Sequence, residues 1–503
     1  MDIGQQFSIF FSNILSIVTN PSLLSTLFGS TLMGIIFGAL PGLTATLGVA
    51  LLTTLTYSMS TQGAMVALMG IYVGAVYGGS YGSIMINIPG TASAAATALE
   101  GYPMALRGEA GKALGLTTTA SAIGTFVGMM FVVIFTPLIA ALAMQFTSFE
   151  FFLLAFFGII ISGSISCPDT VQKGWITGFL GLFIAMVGRD QLQVYPRFTL
   201  GIMQLDSGIE IVPVLIGAFG IPQIIQVLKD RQTTAEPAKI NRIIPSFGTI
   251  GRNLKHIIRS ALIGVGIGAV PGIGEDIAAW VSYGTAKKSS KHPEKFGTGF
   301  EEGIIASEVA NNACIGGAMI PLLSMGIPGS PPAAMLLGAL MLHGMAPGPM
   351  LEIEKPGFTL GISAILLLAS MAMWIIGILL AKQVVKLLKV PPALFMPVVA
   401  VLCLIGSYAL GLKVFNLYLM IPMGILTYYL TNMGYPIPPL VIGVILGSMA
   451  DANLRRGLMV SQGSLAPFFT RPVALILLLI IVFTFISNTK GYKNLLQRIM
   501  RKR

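Results

Sequence analysis

The chain has 503 residues, 54% of them hydrophobic and only 10% charged, with a mean hydropathy of +0.84. A soluble domain carries about 25% charged residues, so this composition excludes one and identifies a polytopic membrane protein. The formal charge of +11 does not mark a nucleic-acid binder, because the Lys and Arg gather in loops and at the C-terminus, where they act as orientation signals.

Residues 1–20 read as a weakly amphipathic helix at the membrane interface, with Phe7, Phe10, Phe11, Ile14 and Leu15 on its apolar side. Residues 22–57 follow as an apolar run split at Pro41-Gly42, and 63–100 as a second run broken at Pro89-Gly90. Pro removes a backbone N–H and Gly frees the dihedrals, so a helix reaching either pair stops and restarts. Arg107, Glu109 and Lys112 mark a polar loop. Further apolar runs cover 113–139, 150–166, 173–188 and 208–228. Residues 229–259 are the least apolar part of the chain, with Lys229, Arg231, Lys239, Arg242, Arg252, Lys255 and Arg259, and read as the hinge between two halves.

The second half repeats the style of the first. Gly38-Ala-Leu-Pro-Gly-Leu43 is echoed by Gly268-Ala-Val-Pro-Gly-Ile273, and Asn87-Ile-Pro-Gly-Thr-Ala-Ser93 by Gly326-Ile-Pro-Gly-Ser330. Ile161-Ser-Gly-Ser164 and Ile405-Gly-Ser-Tyr408 match loosely, as do Pro213-Val-Leu-Ile-Gly217 and Pro439-Leu-Val-Ile-Gly443. An internal duplication follows. Loop charge gives its sense. The loop Lys287–Lys295 is basic while its counterpart Ser58–Gln62 is uncharged. The Arg107–Lys112 loop is basic while Leu351–Lys355 is mildly acidic. Lys382–Lys389 is basic while Met144–Phe149 has no Lys or Arg. Cytoplasmic loops collect Lys and Arg, so three matched pairs of opposite character predict inverted repeats.

Residues 258–286 leave a basic loop and return to one, yet are too few for two spans of about 20 residues. They are expected to form a re-entrant hairpin with Pro271-Gly272 near its tip, and 22–57 its mirror from the other side. The expected fold is all-α and polytopic, with two inverted-topology repeats, each holding a re-entrant Pro-Gly hairpin and a broken helix. That makes about eleven spans plus two hairpins. The divisions are 1–228 for the N-terminal repeat, 229–257 for a basic cytoplasmic linker, 258–470 for the C-terminal inverted repeat, and 471–503 for a final span and basic tail. The N-terminus is expected in the periplasm and the tail Lys490–Arg503 in the cytoplasm. Arg455-Arg456 runs against this scheme, which places the pair outside.

The chemistry gathers at the breaks. Lipid cannot satisfy exposed backbone amides, so a break at membrane depth is buried in protein or lines a watery cavity. Paired breaks in two halves point to a transporter's binding site. Substrate-binding candidates are Pro41, Gly42, Ser80, Ser83, Asn87, Pro89, Gly90, Thr91, Ser93, Pro328, Gly329 and Ser330. Helix N-termini carry about half a positive charge, so facing half-helices could hold an anion without Lys or Arg. Close-packed small residues are the bland alternative for Ser80 and Ser83. Intramembrane acids are costly and usually functional. Glu308 stands one turn before Asn312 on a predicted helix, with an interface glutamate just above the loop as the alternative reading. Glu275 and Asp276 follow the Pro271 tip, either at membrane depth or only charging the start of a half-helix, where acids are favourable. Glu308, Asn311, Asn312, Gly272 and Glu275 are the candidates for cation coupling, with Na⁺ as a coupling ion and H⁺ as its alternative. Glu150 and Asp169 sit near segment ends and read as interfacial, and His256, His292 and His343 fall in or beside loops and are not catalytic candidates.

No enzyme chemistry is expected. Cys167, Cys314 and Cys403 show no metal spacing or disulfide pattern. There is no Walker A motif, and no cleavable signal peptide is expected, since the first Lys or Arg is Arg107. Gly272-Ile-Gly-Glu-Asp276 resembles an intramembrane aspartyl protease motif but lacks a second Asp motif. Gly79-Ser-Tyr-Gly82 resembles an intramembrane serine protease motif but lacks a following His. Gly264-Val-Gly-Ile-Gly268 has no βαβ context. No cofactor is expected beyond the coupling ion.

Several of these stretches together resemble the large membrane subunit of the tripartite tricarboxylate transporter family. They are Gly38-Ala-Leu-Pro-Gly42, Tyr77-Gly-Gly-Ser-Tyr-Gly-Ser83 through Asn87-Ile-Pro-Gly90, Glu100-Gly-Tyr-Pro103, Gly268-Ala-Val-Pro-Gly272, Glu308-Val-Ala-Asn-Asn312, and Gly326-Ile-Pro-Gly-Ser330 through His343-Gly344. The resemblance spans nearly the whole chain. It implies a secondary transporter of the bacterial inner membrane that takes up citrate or a related di- or tricarboxylate with Na⁺ or H⁺. It also implies a small integral-membrane partner subunit and a periplasmic substrate-binding protein. A passive anion channel is the alternative, though the polar residues form discrete clusters rather than a continuous lining. A scaffold without transport leaves the paired breaks without a purpose.

Overall fold

The computed structural model describes residues 3–167, 170–190, 192–230, 237–240, 243, 247–409 and 412–488. The first half runs α1 (Ile3–Val18), α2 (Pro21–Ala39), α3 (Ala45–Leu55), α4 (Thr61–Ile86), α5 (Ala94–Leu106), α6 (Ala110–Ala143), α7 (Ser148–Ser166), α8 (Val171–Ala185) and α9 (Ile211–Asp230). A two-stranded antiparallel ribbon, β1 (Gly188–Arg189) and β2 (Pro196–Arg197), lies between the last two helices. The second half runs α10 (Phe247–Arg252), α11 (Leu254–Gly268), α12 (Gly274–Ser289), α13 (Glu301–Met325), α14 (Pro331–Leu342), α15 (Leu351–Glu354), α16 (Phe358–Leu379), α17 (Ala381–Leu387), α18 (Met396–Ala409), α19 (Phe415–Asn432), α20 (Pro438–Val460), α21 (Pro467–Thr470) and α22 (Pro472–Ser487).

Local chemistry sets the ends of these helices. Asn20 caps α2 by accepting the N–H groups of Ser22 and Leu23, and Thr44 caps α3 by accepting that of Leu47. Ser60 caps α4, and Thr147 with Glu150 forms a capping box on α7. Pro21, Pro331, Pro438 and Pro472 start their helices, where a missing N–H costs nothing. α4 ends at Asn87 with φ of 56°, and α13 ends at Gly326 with φ of 72°. Both ends turn through the left-handed region just before an Ile-Pro-Gly triplet.

Among the described residues, seven helical segments are long and apolar enough to cross a membrane, Pro21–Ala39, Thr61–Ile86, Ala110–Ala143, Ser148–Ser166, Ile211–Lys229, Phe358–Leu379 and Pro392–Ala409. That is fewer than the eleven or so spans expected. α8 and α22 have 15 and 16 residues, and the 25-residue α13 carries Glu301, Glu302 and Glu308.

Packing follows glycine contacts. α2 lies on α4, with Gly34 against the Ile71 carbonyl and Gly74 against that of Thr31. α11 lies on α13 in the same way, with Gly264 against Ala310 and Gly317 against Val265. α13 also packs along α6, and α16 against both α4 and α6. In the remaining helices α20 packs on α7 and α8, while α9 packs on α18 and α19. α3 and α14 bridge the two groups, touching each other and α9.

Arg455 sits beside a carboxylate, not in a basic loop. Asp190, 1% exposed at its side chain, pairs with Arg455 and with Arg197 at 3.5 Å, and Arg197 reaches Asp451 at 2.8 Å. Of the pair that opposed the orientation scheme, Arg455 is therefore locally balanced by Asp190. His256 stands in the first turn of α11, beside the break that separates it from α10. Asp169, Arg231, Arg242 and the tail Lys490–Arg503 lie outside the described residues.

Candidate functional site

Five helix starts converge on one cavity of about 350 Å³. Thr44, Ala45 and Thr46 come from the start of α3, and Thr91, Ala92 and Ser93 from the turn into α5. Residues Gly272–Ile277 begin α12, Pro331 and Pro332 begin α14, and Pro436 and Pro438 begin α20. Val76 and Phe219 add apolar wall, and Ile165 and Ser166 line another side. No Lys, Arg or His is among the described lining residues. Each helix start presents a partial positive charge of about one half. Five such ends favour an anion without any cationic side chain, against the opposing charge of Glu275 and Asp276 when these are ionised.

Two carboxylates already stand at this cavity. Asp276 accepts the backbone N–H of Ser93 at 2.9 Å. Glu275 is 6% exposed and accepts the hydroxyl of Tyr72. The Tyr72 oxygen lies 2.8 Å from Ser330 Oγ. Tyr72 has one proton, and with that proton on Glu275 the Ser330 hydroxyl is the donor to Tyr72. Ser330 Oγ in turn accepts the Ala333 N–H at 3.3 Å and caps α14. A continuous relay therefore runs from the start of α14 through α4 to the start of α12. On the other wall Thr91 Oγ1 accepts the Ala94 N–H at 3.4 Å and lies 3.0 Å from Ser93 Oγ.

The candidates from the sequence divide into three groups. Thr91, Ser93, Gly272 and Glu275 line the cavity, and Ser330 joins its relay. Pro89, Gly90, Pro328 and Gly329 shape the two breaks behind it. Pro41 and Gly42 lie at the α2–α3 turn, where Gly42 faces Val227, and the cavity is lined instead by Thr44 and Thr46. Asn87 ends α4. Ser80 and Ser83 are fully buried. Ser80 donates to Glu308 at 2.5 Å, and Ser83 to the Ala94 carbonyl at 2.7 Å.

Glu308 is a junction. It accepts hydroxyls from Ser80 and Thr97, each at 2.5 Å, and from Ser121 at 2.7 Å, and so ties α13 to α4, α5 and α6. Asn311 donates to the carbonyl of the cavity residue Val76 at 3.3 Å, and Asn312 donates to Thr125 at 3.1 Å. Among the described residues neither amide oxygen has a partner.

Tyr72, Asp276, Thr44 and Thr46 are the site residues that the sequence reading left out. Asp276 was visible beside Glu275. Tyr72 had no local signal, because its partners lie 203 and 258 positions away. A larger cavity of about 560 Å³ lies beyond the far end of α14, against α1 and α4. It holds both Glu354 and Lys355, so it has no preference for one sign of charge. His343 is also there, and burial holds its imidazole below its ordinary pKa.

Residues 23–442 match the model of the tripartite tricarboxylate transporter TctA family. The chain is 35% identical over 452 residues to an uncharacterized 52.8 kDa protein in the TAR-I ttuC' 3' region of Agrobacterium vitis, a match covering 90% of each chain. It is 36% identical over 212 residues to an uncharacterized protein in the TAR-II ttuC' 3' region of the same organism. That match covers 42% of this chain and 88% of the relative. No solved structure matches the chain.

Proposed function

The chain belongs to the tripartite tricarboxylate transporter TctA family, and from that membership we propose that it is the large membrane subunit of a cation-coupled carrier for citrate or a related di- or tricarboxylate. It works in the bacterial inner membrane with a small integral-membrane subunit and a periplasmic substrate-binding protein. The observation that carries the reading is the meeting of five helix starts at one cavity without a cationic side chain. Such a site holds carboxylates through helix dipoles, hydroxyls and free N–H groups.

Coupling belongs to Glu275 and Asp276 in this reading. Two ionised carboxylates would repel an anionic substrate in a confined space. A proton or Na⁺ that neutralises them makes room for it, so substrate and cation load together. Glu308, with three hydroxyls on its oxygens, acts as the brace behind the site.

Two inverted repeats, 1–228 and 258–470, each with a re-entrant hairpin, are the proposed architecture, joined by the 229–257 linker. Gly38 meets Gly90 as Gly268 meets Gly329, and α9 packs on α18 and α19 as α20 packs on α7 and α8. Both correspondences support that pairing. Alternating access then moves one part of the pair against the other. The N-terminus is periplasmic and the C-terminus cytoplasmic in this scheme.

The test is uptake of labelled citrate into proteoliposomes holding the chain and its two partners, with an inward Na⁺ gradient, an inward H⁺ gradient, or neither. Accumulation above equilibrium under one gradient supports the carrier and identifies its cation. Equilibration without accumulation under every condition would make it a passive anion pore.

A further inference from the structure

Glu100 takes no part in the cavity, yet it is fully buried and its carboxylate is filled with donors. Oε1 accepts the Gly297 N–H at 2.6 Å and the Tyr283 hydroxyl at 2.8 Å. Oε2 accepts the N–H groups of Gly299 and Phe300, both at 2.8 Å. The loop is shaped for this. Gly297 and Gly299 have φ of 92° and 91°, values that turn successive amides toward one point and that a side chain would strain. Arg107, on the same side, donates to the carbonyls of Thr298 and Gly299. An isolated buried carboxylate would be very costly, so this nest exists to receive one at that place.

The position of Glu100 relates to the cavity through register. Ser93 and Asp276 are bonded across 183 positions, and Glu100 and Tyr283 across the same 183 positions. α5 and α12 therefore run side by side in the same direction, tied at two levels about two turns apart. Between the ties Ala96 and Ala279 are buried in one apolar cluster with Tyr283 and Phe296. At one end both helices start at the cavity. Two turns further along, midway through α5, Glu100 fastens both to the loop ahead of α13.

We infer that α5 and α12 form a single clamp joining the two halves of the chain, and that Glu100 is the positioning residue that anchors it two turns from the cavity and thereby sets the Ser93–Asp276 contact there. Its consequence for transport rests on the proposed carrier function, but the clamp itself does not. During the transport cycle the two helices keep their register and move as one body.

Hydrogen–deuterium exchange on the full chain in lipid nanodiscs tests the clamp without any substrate. In Glu100→Gln, exchange is expected to rise about tenfold or more at 297–300, and also toward the cavity at 93–96 and 278–281, the first amides of α5 and α12 that are hydrogen-bonded. Tyr283→Phe removes only the tie to α12. It is expected to leave 297–300 protected while 278–281 exchanges faster, and it decides the question alone if Glu100→Gln does not fold. A change confined to 297–300, or none at 278–281 in Tyr283→Phe, overturns the inference. A second arm oxidises the Ala96→Cys, Ala279→Cys double variant to a disulfide with iodine, an apolar oxidant small enough to enter the buried cluster, and verifies the bridge by mass spectrometry. The bridged protein with its partners is expected to keep at least about half of its citrate uptake, since nothing between the helices must move. Loss of uptake on bridging overturns the rigid unit. If the unmodified protein moves no citrate, the carrier reading fails while the exchange result still decides the clamp.

Discussion

The carbonyl oxygen of Gly38 presses so closely on Gly90 that a methyl group built there would stand 1.8 Å from it. Gly268 and Gly329 repeat the relation at 2.0 Å. In each case the end of one helix meets the Pro-Gly break of the next broken helix, and only a residue without Cβ fits. The breaks are thus held open by contact and not only by the missing proline N–H.

Gly90→Ala and Gly329→Ala are each expected to destabilise the protein by about 1–3 kcal/mol through overpacking. Gly266→Ala is the control, because nothing lies within 4 Å of a methyl group there. It should be neutral or slightly stabilising. Thermal unfolding in detergent compares the three.

Thr91→Val and Ser330→Val each remove a hydroxyl that caps a helix start at the cavity. Each is expected to raise the citrate concentration for half-maximal uptake about tenfold, equivalent to one lost hydrogen bond of about 1.4 kcal/mol. Normal uptake kinetics in both variants would move the site elsewhere.

Glu308→Gln and Glu275→Gln separate bracing from coupling. The first removes the charge that three buried hydroxyls surround, and is expected to cost about 1–3 kcal/mol of stability while uptake keeps its Na⁺ or pH dependence. The second should leave stability nearly unchanged and flatten that dependence. The opposite pattern, with coupling lost in Glu308→Gln and kept in Glu275→Gln, would exchange the two roles.

Arg455→Gln leaves buried Asp190 with Arg197 as its remaining ion-pair partner among the described residues, and Arg197 is shared with Asp451. A loss of about 1–3 kcal/mol is expected, and Asp190→Asn in the same chain should recover part of it. Thermal unfolding of the single and double variants measures the coupling. Additive losses would show that the pair does not interact.

Much of the site's frame was legible in the residues. The helices end in left-handed caps at Asn87 and Gly326, Pro89 and Pro328 two residues later cannot continue them, and Gly90 and Gly329 follow, so the two breaks stand where local chemistry puts them. The repeated Gly-Ala-x-Pro-Gly stretches likewise placed the turns at 40–44 and 269–273. These are properties of neighbours along the chain. The stretch Glu100-Gly-Tyr-Pro103 was also conspicuous, but nothing in it says what the carboxylate holds.

What the chain alone determined was therefore its class, its breaks and the polar residues beside them, because composition, proline geometry and hydropathy act over a few residues. Only the tertiary structure decided that Glu308 is enclosed by three hydroxyls, that Tyr72 joins Glu275 to Ser330, that Asp276 takes the Ser93 N–H, and that Glu100 anchors α5 and α12 together. Every one of those contacts joins groups about 180 positions apart or more. A hydrogen bond needs its partners within about 3 Å, and the approach that provides this comes from glycine-mediated packing of whole helices, which no local pattern encodes.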